Sequence, residues 1–98
     1  MEYLAVFCDH NFSDLANIYY MELNENREQL RVVEKYLDGR YGYANNTSEF
    51  NNAFLAKDYY PTLNDLNANP ECIAKYITKN DFEFQWEKAK KYCQNHSI

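Results

Sequence analysis

Glycine and proline are scarce in this chain of 98 residues, which contains two of each. The two glycines, Gly39 and Gly42, are separated by two residues. A loop that cradles phosphate groups needs several closely spaced glycines at the start of a helix. The sequence therefore offers no candidate nucleotide site, and we expect no cofactor.

Long apolar runs are also absent. A signal peptide needs a cationic start and an apolar stretch of about 7–15 residues, and a membrane span needs about 18–20. Here an acid, Glu2, stands at the second position, and the apolar run that begins at Tyr3 ends at Cys8. We therefore expect a cytoplasmic protein without a membrane partner.

Three cysteines and two histidines leave little scope for metal or nucleophile chemistry. Cys8, Cys72 and Cys93 are odd in number and have no paired spacing, which predicts reduced thiols. Cys8, Asp9 and His10 are adjacent, and neighbours on a strand point to opposite faces, so they cannot converge on a metal. Cys8 and His10 share a face, but no orienting group accompanies this conceivable nucleophile–base pair. We expect no metal site, no catalytic residue and no enzyme activity.

Basic residues are outnumbered, with ten Lys and Arg against fifteen Asp and Glu and a net charge of −5. Binding to a phosphate backbone needs clustered bases, so nucleic acid is not expected as a direct partner. The acids are concentrated in residues 1–30, which hold six acids against the single base Arg27. Over residues 31–98 the acids and bases cancel.

Ten tyrosines are the most informative feature of the chain. Tyrosine offers a rigid amphipathic surface and is enriched where proteins bind each other. An aromatic-rich chain with one acidic third predicts a basic protein partner. The candidate partner-binding acids are Asp14, Glu22, Glu25 and Glu28, and the candidate aromatic anchors are Tyr19, Tyr20, Tyr41 and Tyr43.

Explanations other than partner binding remain open for these residues. Glu22, Glu25 and Glu28 could suggest paired carboxylates for acid–base work, but they flank a predicted turn, where charges are usually solvated. Tyr19 and Tyr20 point to opposite faces of a strand, so at most one of them should contact a partner.

The first half of the chain predicts an antiparallel meander of four strands, at about residues 3–8, 18–23, 30–37 and 40–44. Asn24, Glu25 and Asn26 form a turn by composition. Asp38-Gly39 is the signature of a two-residue type I′ hairpin, which needs a positive φ at both positions. Residues 45–52 are predicted to be a polar loop. The Asn-rich segment 45–54 is a second candidate surface, because variable loops on a rigid scaffold often carry specificity.

The second half predicts helices. Thr62 can cap a short helix over residues 63–67, and residues 72–77 are ambiguous between a helical turn and a strand. Thr78 and Asp81 form a capping arrangement at the start of a main helix over about residues 79–94. Phe82, Trp86, Ala89 and Cys93 recur at helical period, which predicts the buried face of that helix.

The order of residues resembles a poorly characterised family of small bacterial α+β domains. This family includes immunity-like proteins that occur beside polymorphic toxins, among them those of contact-dependent growth inhibition. The resemblance covers about residues 17–90 and rests on structural motifs, namely residues 20–23, 26–28, 33–36, 38–39, 43–44, 60–67, 77–78 and 82–89. Three charged residues, Arg27, Glu28 and Glu34, fit the pattern of this family. Trp86 matches its tryptophan, and the resemblance implies that this residue is a core anchor.

Taken together, the sequence predicts a single α+β domain over residues 1–98, in which a sheet of about four strands packs against a C-terminal helix. The expected function is to bind and neutralise a cognate toxin domain, a basic nuclease, without catalysis. Two alternatives stay open: a general interaction or self-assembly module that uses a free sheet edge, and a small enzyme or ligand-binding domain whose site forms only in three dimensions.

Overall fold

Six antiparallel strands form one sheet in the computed structural model, which describes residues 1–96. The order of the strands across the sheet is β5-β4-β3-β2-β1-β6. In chain order the elements are β1 (Glu2–Cys8), β2 (Ile18–Leu23), β3 (Gln29–Lys35), β4 (Tyr41–Ala44), β5 (Glu49–Phe50), α1 (Leu63–Asn67), β6 (Cys72–Tyr76) and α2 (Lys79–His96). The predicted α+β class and the four-stranded meander are confirmed.

The strand count was too low by two. The first additional strand, β5, covers two residues inside the predicted polar loop and pairs with β4 at the sheet edge. The second, β6, resolves the ambiguous segment and pairs with β1 at the other edge. Neither segment carries a clear alternation of apolar and polar residues, because an edge strand buries little of its surface.

The two faces of the sheet are covered by different parts of the chain, because successive side chains of a strand point to opposite sides. On the helix face, residues such as Val33 and Tyr41 pack against α2. On the loop face, Val6 and Met21 pack against Tyr60 and Leu66, from the segment that includes α1. The sheet is therefore the middle of three layers.

The main helix begins with a reciprocal cap. The Thr78 hydroxyl accepts a hydrogen bond from the Asp81 amide at 3.1 Å, and the Asp81 carboxylate accepts one from the Thr78 amide at 3.3 Å. The predicted inner stripe is confirmed, since Phe82, Trp86 and Ala89 are all at most 7% exposed, as is Cys93. The apolar stripe therefore packs α2 onto the sheet.

The short helix α1 also begins and ends where the sequence predicts. Thr62 is its N-cap, and the Thr62 hydroxyl accepts a hydrogen bond from the Asp65 amide. Its last residue, Asn67, binds the edge strand β6 through its side chain. The Asn67 amide group donates to the Ala74 carbonyl at 3.0 Å and accepts from the Ala74 amide at 2.7 Å. This side chain occupies backbone groups that a sheet edge would otherwise offer to another chain.

The hairpin between β3 and β4 differs from the predicted type I′ turn. Only Gly39 has a positive φ, of 91°, and Asp38 does not. The Gly39 amide bonds the Tyr36 carbonyl, and the Tyr36 amide bonds the Arg40 carbonyl. The hairpin loop therefore has three residues. In this class of hairpin, a type I turn is followed by a residue in the left-handed region, which here is Gly39.

In the turn between β2 and β3, the left-handed residue is Arg27, with φ 61°, rather than an asparagine. The Asn24 side chain accepts hydrogen bonds from the amides of Asn26 and Glu28. The Arg27 guanidinium reaches the Tyr60 carbonyl at 2.9 Å and also the Pro61 carbonyl. It pairs with Glu2 at 2.9 Å as well. The turn is thus tied to the segment that covers the loop face.

The prediction of three reduced thiols was wrong. Cys8 and Cys72 form a disulfide, and Cys93 is a buried free thiol. The two bonded cysteines are direct partners in the register of β1 and β6. They are 64 residues apart in the sequence, so their pairing depends on the addition of β6 to the sheet, which spacing alone does not indicate.

Candidate functional site

The four candidate acids do not form one surface. Asp14 precedes β2, whereas Glu25 and Glu28 lie in the turn that follows it. A strand of this length separates its ends by about 17–20 Å. Glu22 lies between them on the helix face, so the structure distributes the four acids over three places.

Glu22 is not solvated, in contrast to the expectation for a charge beside a turn. It is 8% exposed, and Arg31 binds it through two nitrogens at 2.8 and 2.9 Å. The Tyr3 hydroxyl donates to the same carboxylate at 2.9 Å. The hydrogen bonds from Arg31 hold the pKa of Glu22 below its usual value. Its charge is therefore satisfied within the fold.

Arg31 is the centre of this network and was missed by the sequence reasoning. Its guanidinium also pairs with Glu83 of α2, and it lies 4.7 Å from the Phe82 ring centroid and 5.0 Å from that of Trp86. A guanidinium in this position gains both charge pairing and contact with aromatic faces. The network connects the sheet to the helix and has a structural role.

Three of the four candidate tyrosines lie between the sheet and α2. Tyr20, Tyr41 and Tyr43 belong to the helix-face core. Tyr43 stacks on Phe50 with ring centroids 4.6 Å apart and meets Trp86 edge-on at 5.0 Å. Tyr41 is buried, and Tyr20 and Tyr43 are half-buried against the same core. Tyr19 lies on the opposite face, as predicted, and lines a cavity there.

Exposed apolar side chains converge at the end of the sheet where β1 ends and β2 begins. Phe12, Leu15 and Leu37 are 63%, 49% and 70% exposed, and they line one cavity of about 210 Å³. We call these three residues the apical patch. Phe12 and Leu15 lie between β1 and β2, and Leu37 lies in the β3–β4 hairpin, so their proximity depends on the folded sheet.

Arg40 holds the two parts of the apical patch together. Its guanidinium donates to the Ser13 carbonyl, pairs with Asp38 at 2.8 Å and lies 4.5 Å from the centroid of the Tyr36 ring. Asp14 lines a neighbouring cavity of about 320 Å³, which shares Tyr36 and Arg40 with the first. Asp14 is therefore the candidate acid that lies beside the apical patch.

His10 shapes the loop that carries Phe12. Its Nδ1 atom accepts a hydrogen bond from the Phe12 amide at 3.1 Å, so Nε2 carries the proton and donates to the Ala16 carbonyl at 2.9 Å. Cys8, the other half of the conceivable nucleophile–base pair, is in the disulfide. In this form of the protein the two residues cannot act as a nucleophile and its base.

Glu34 is a second residue that the sequence reasoning did not single out for its environment. It lies half-buried, opposite Tyr19 in the register of β2 and β3, and forms no hydrogen bond or ion pair within residues 1–96. Burial without a counter-ion raises its pKa to about 7. The available signal was a charged residue directly after the apolar pair Val32-Val33 in a predicted strand.

Among residues 1–96, no group of three or more His, Cys, Asp and Glu side chains is placed to hold a metal ion. No helix in the same range is long and apolar enough to cross a membrane.

These features define a small α+β domain in which one antiparallel sheet lies between a C-terminal helix and a covering loop. A family described as "Domain of unknown function (DUF6881)" matches residues 2–91. The chain belongs to this family, because the match covers nearly all of its length. Neither the curated proteins nor the solved structures contain a significant match to the chain.

Proposed function

We propose that this chain is an immunity protein that binds and neutralises a cognate bacterial toxin domain without catalysis. The observation that carries the proposal is the apical patch, in which Phe12, Leu15 and Leu37 expose 49–70% of their surface around one cavity. Exposed apolar residues that cluster in this way are typical of protein-binding surfaces.

The charge of the chain supports a basic partner. The net charge is −5, and Asp14 lies beside the apical patch through the shared residues Tyr36 and Arg40. A toxin that cleaves nucleic acid must hold a polyanion and therefore presents a basic surface. Complementary charge would speed association, and burial of the apical patch would slow release.

The proposed contact set differs from the one expected from sequence. Asp14 stays in it, together with the apical patch. Glu25 and Glu28 lie at the other end of β2 and contribute to the overall field, not to this contact. Glu22 pairs with Arg31, and Tyr20, Tyr41 and Tyr43 pack against the helix-face core, so these residues support the fold. Tyr19 faces a separate cavity.

A self-assembly module is less well supported than an immunity protein. The edge strand β6 has its Ala74 backbone groups occupied by the Asn67 side chain, and β5 at the other edge is two residues long. Neither edge offers a long unpaired ladder. The expected cytoplasmic location remains a prediction.

The experiment measures binding to the toxin domain encoded beside this chain, and the protection of bacteria that produce this toxin. Replacing Phe12 and Leu37 by serine together should weaken binding by at least about thirtyfold, which corresponds to about 2 kcal/mol, and should abolish protection. The control is Phe84→Ser, which alters a residue of similar exposure, 59%, on α2.

Two results would contradict the proposal. One is equal binding by the double variant and the wild type, which would place the interface elsewhere. The other is the absence of binding and protection by the wild type itself, which would remove the immunity function. Circular dichroism of both variants shows whether a loss of binding reflects a loss of fold.

A further inference from the structure

A second cavity lies on the loop face, between the sheet and α1, and has a volume of about 380 Å³. We call it the disulfide cavity, because the bond between Cys8 and Cys72 forms part of its wall. Val6 and Leu66 add apolar wall. The volume and the apolar lining are those of a site for a small molecule, and the cavity shares no lining residue with the apical patch.

Two tyrosines bring polar groups into this cavity. Tyr19 projects from β2, and Tyr60 from the covering segment. Both phenols are neutral at physiological pH, and burial raises their pKa further above it, so their oxygens can accept a hydrogen bond from a ligand. Neither hydroxyl has a hydrogen-bond partner within residues 1–96. Two neutral phenols beside an apolar wall are therefore free to bind a ligand.

The charge that lines the disulfide cavity has a single sign. Asp65, from the first turn of α1, is the one lining carboxylate, and no lysine or arginine contributes to the lining. The Asp65 carboxylate forms no ion pair within residues 1–96. Glu34 lies close enough to Tyr19 to add to the rise of the Tyr19 pKa. The lining therefore favours a cation. The base that bonds the Tyr60 and Pro61 carbonyls from outside the lining, Arg27, is itself paired with Glu2.

We propose that the disulfide cavity binds a small aromatic ammonium compound. The apolar body of the ligand packs on Val6, Leu66 and the disulfide, and the ammonium group pairs with Asp65. The faces of Tyr19 and Tyr60 stabilise the same positive charge, because an ammonium group is attracted to the electron-rich face of an aromatic ring.

The test is a titration of the isotope-labelled oxidised protein with 2-phenylethylammonium, followed by NMR. The expected result is saturable shifts at Val6, Leu66 and Tyr19. Neutral 2-phenylethanol should bind about tenfold more weakly, because it lacks the charge. Asp65→Asn should weaken binding of the ammonium compound about tenfold, whereas the control Asp58→Asn removes a charge outside the cavity lining and should leave binding unchanged.

Three outcomes would overturn the proposal. The first is no saturable shift at the lining residues, and the second is equal binding of 2-phenylethanol and the ammonium compound. The third is tighter binding of Nα-acetyl-lysine methylamide than of the aromatic amine, which would assign the cavity to a partner's lysine. If Asp65→Asn disturbs α1, Tyr60→Leu, which removes the aromatic face, should weaken binding of the ammonium compound, whereas Tyr60→Phe, which keeps that face, should not. The result is independent of toxin binding.

Discussion

At the scale of single residues, two glutamates of the sheet, Glu22 and Glu34, lie in opposite electrostatic environments. Glu22 is neutralised by Arg31 and Tyr3, which lowers its pKa. Glu34 has no partner within the described residues, and burial raises its pKa to about 7. An unpaired carboxylate in a half-buried position is unfavourable when charged, so Glu34 makes the fold sensitive to pH.

Because Glu34 binds its proton more tightly in the folded state, the free energy of unfolding should fall as the pH rises from about 4.5 to about 7. Glu34→Gln should remove this loss and stabilise the protein at pH 8 by about 1–2 kcal/mol, a value reduced for partial exposure. Urea unfolding of the variant and the wild type at pH 5 and pH 8 measures this difference in stability. The control is the exposed Glu49→Gln, and an equal pH dependence in Glu34→Gln and the wild type would contradict the argument.

The pH dependence of stability that Glu22 contributes is opposite in sign to that of Glu34. Its pKa is lowered in the folded state, so its contribution to stability is present above the unfolded pKa near 4.5 and is lost as the pH falls through the folded value. Glu22→Gln should therefore destabilise the protein at pH 7. It should also make the free energy of unfolding depend less on pH in the acid range, which is the acid limb of the stability curve. Unfolding measured between pH 3 and pH 7 tests this expectation, and an acid limb as steep as in the wild type would exclude Glu22 as its source.

At the scale of elements, the capped helices follow closely from local sequence, whereas turns and edge strands do not. Thr78 with Asp81 and Thr62 with Asp65 act within three residues of each other, so their pattern is local. The β3–β4 hairpin also has a local signal in Gly39, but the length of its loop depends on the pairing of the strands, as the Tyr36–Arg40 bond shows.

The positive φ of Gly39 predicts that substitutions at this position destabilise the hairpin. An added Cβ meets no atom within 4 Å, but φ is 91°, so a substitution acts through the backbone alone. Gly39→Ala should destabilise the protein by about 1 kcal/mol. Gly39→Asn should cost less, because asparagine tolerates the left-handed region better. Thermal unfolding of both variants decides this, and equal losses in both would point to a cause other than the backbone.

At the scale of the whole molecule, the disulfide joins the two ends of the chain's path through the sheet, since β6 adds beside the first strand. Cysteines in the cytosol are normally reduced, whereas an oxidising compartment preserves disulfides. The redox state of Cys8 and Cys72 therefore bears on the expected cytoplasmic location as well as on stability.

Reduction of the bond should lower the free energy of unfolding by up to about 4 kcal/mol, because the cysteines are 64 residues apart and the bond restricts a long loop in the unfolded chain. Denaturation with and without dithiothreitol measures this loss. A Cys8→Ala, Cys72→Ala variant should not respond to the reductant. If alkylation of the protein from cells quenched in acid and then denatured labels only Cys93, which is buried in the folded state, the disulfide persists there and the cytoplasmic location is wrong.

The sequence by itself determined the α+β class, the four meander strands, both helix starts and the buried stripe of α2. These depend on periodicity and capping, which act between residues close in the chain. Only the tertiary structure decided the two edge strands β5 and β6, the disulfide, the burial of Glu22 and the positions of the apical patch and the disulfide cavity. Each of these joins residues from distant segments, so its energy depends on contacts that exist only once the sheet has formed.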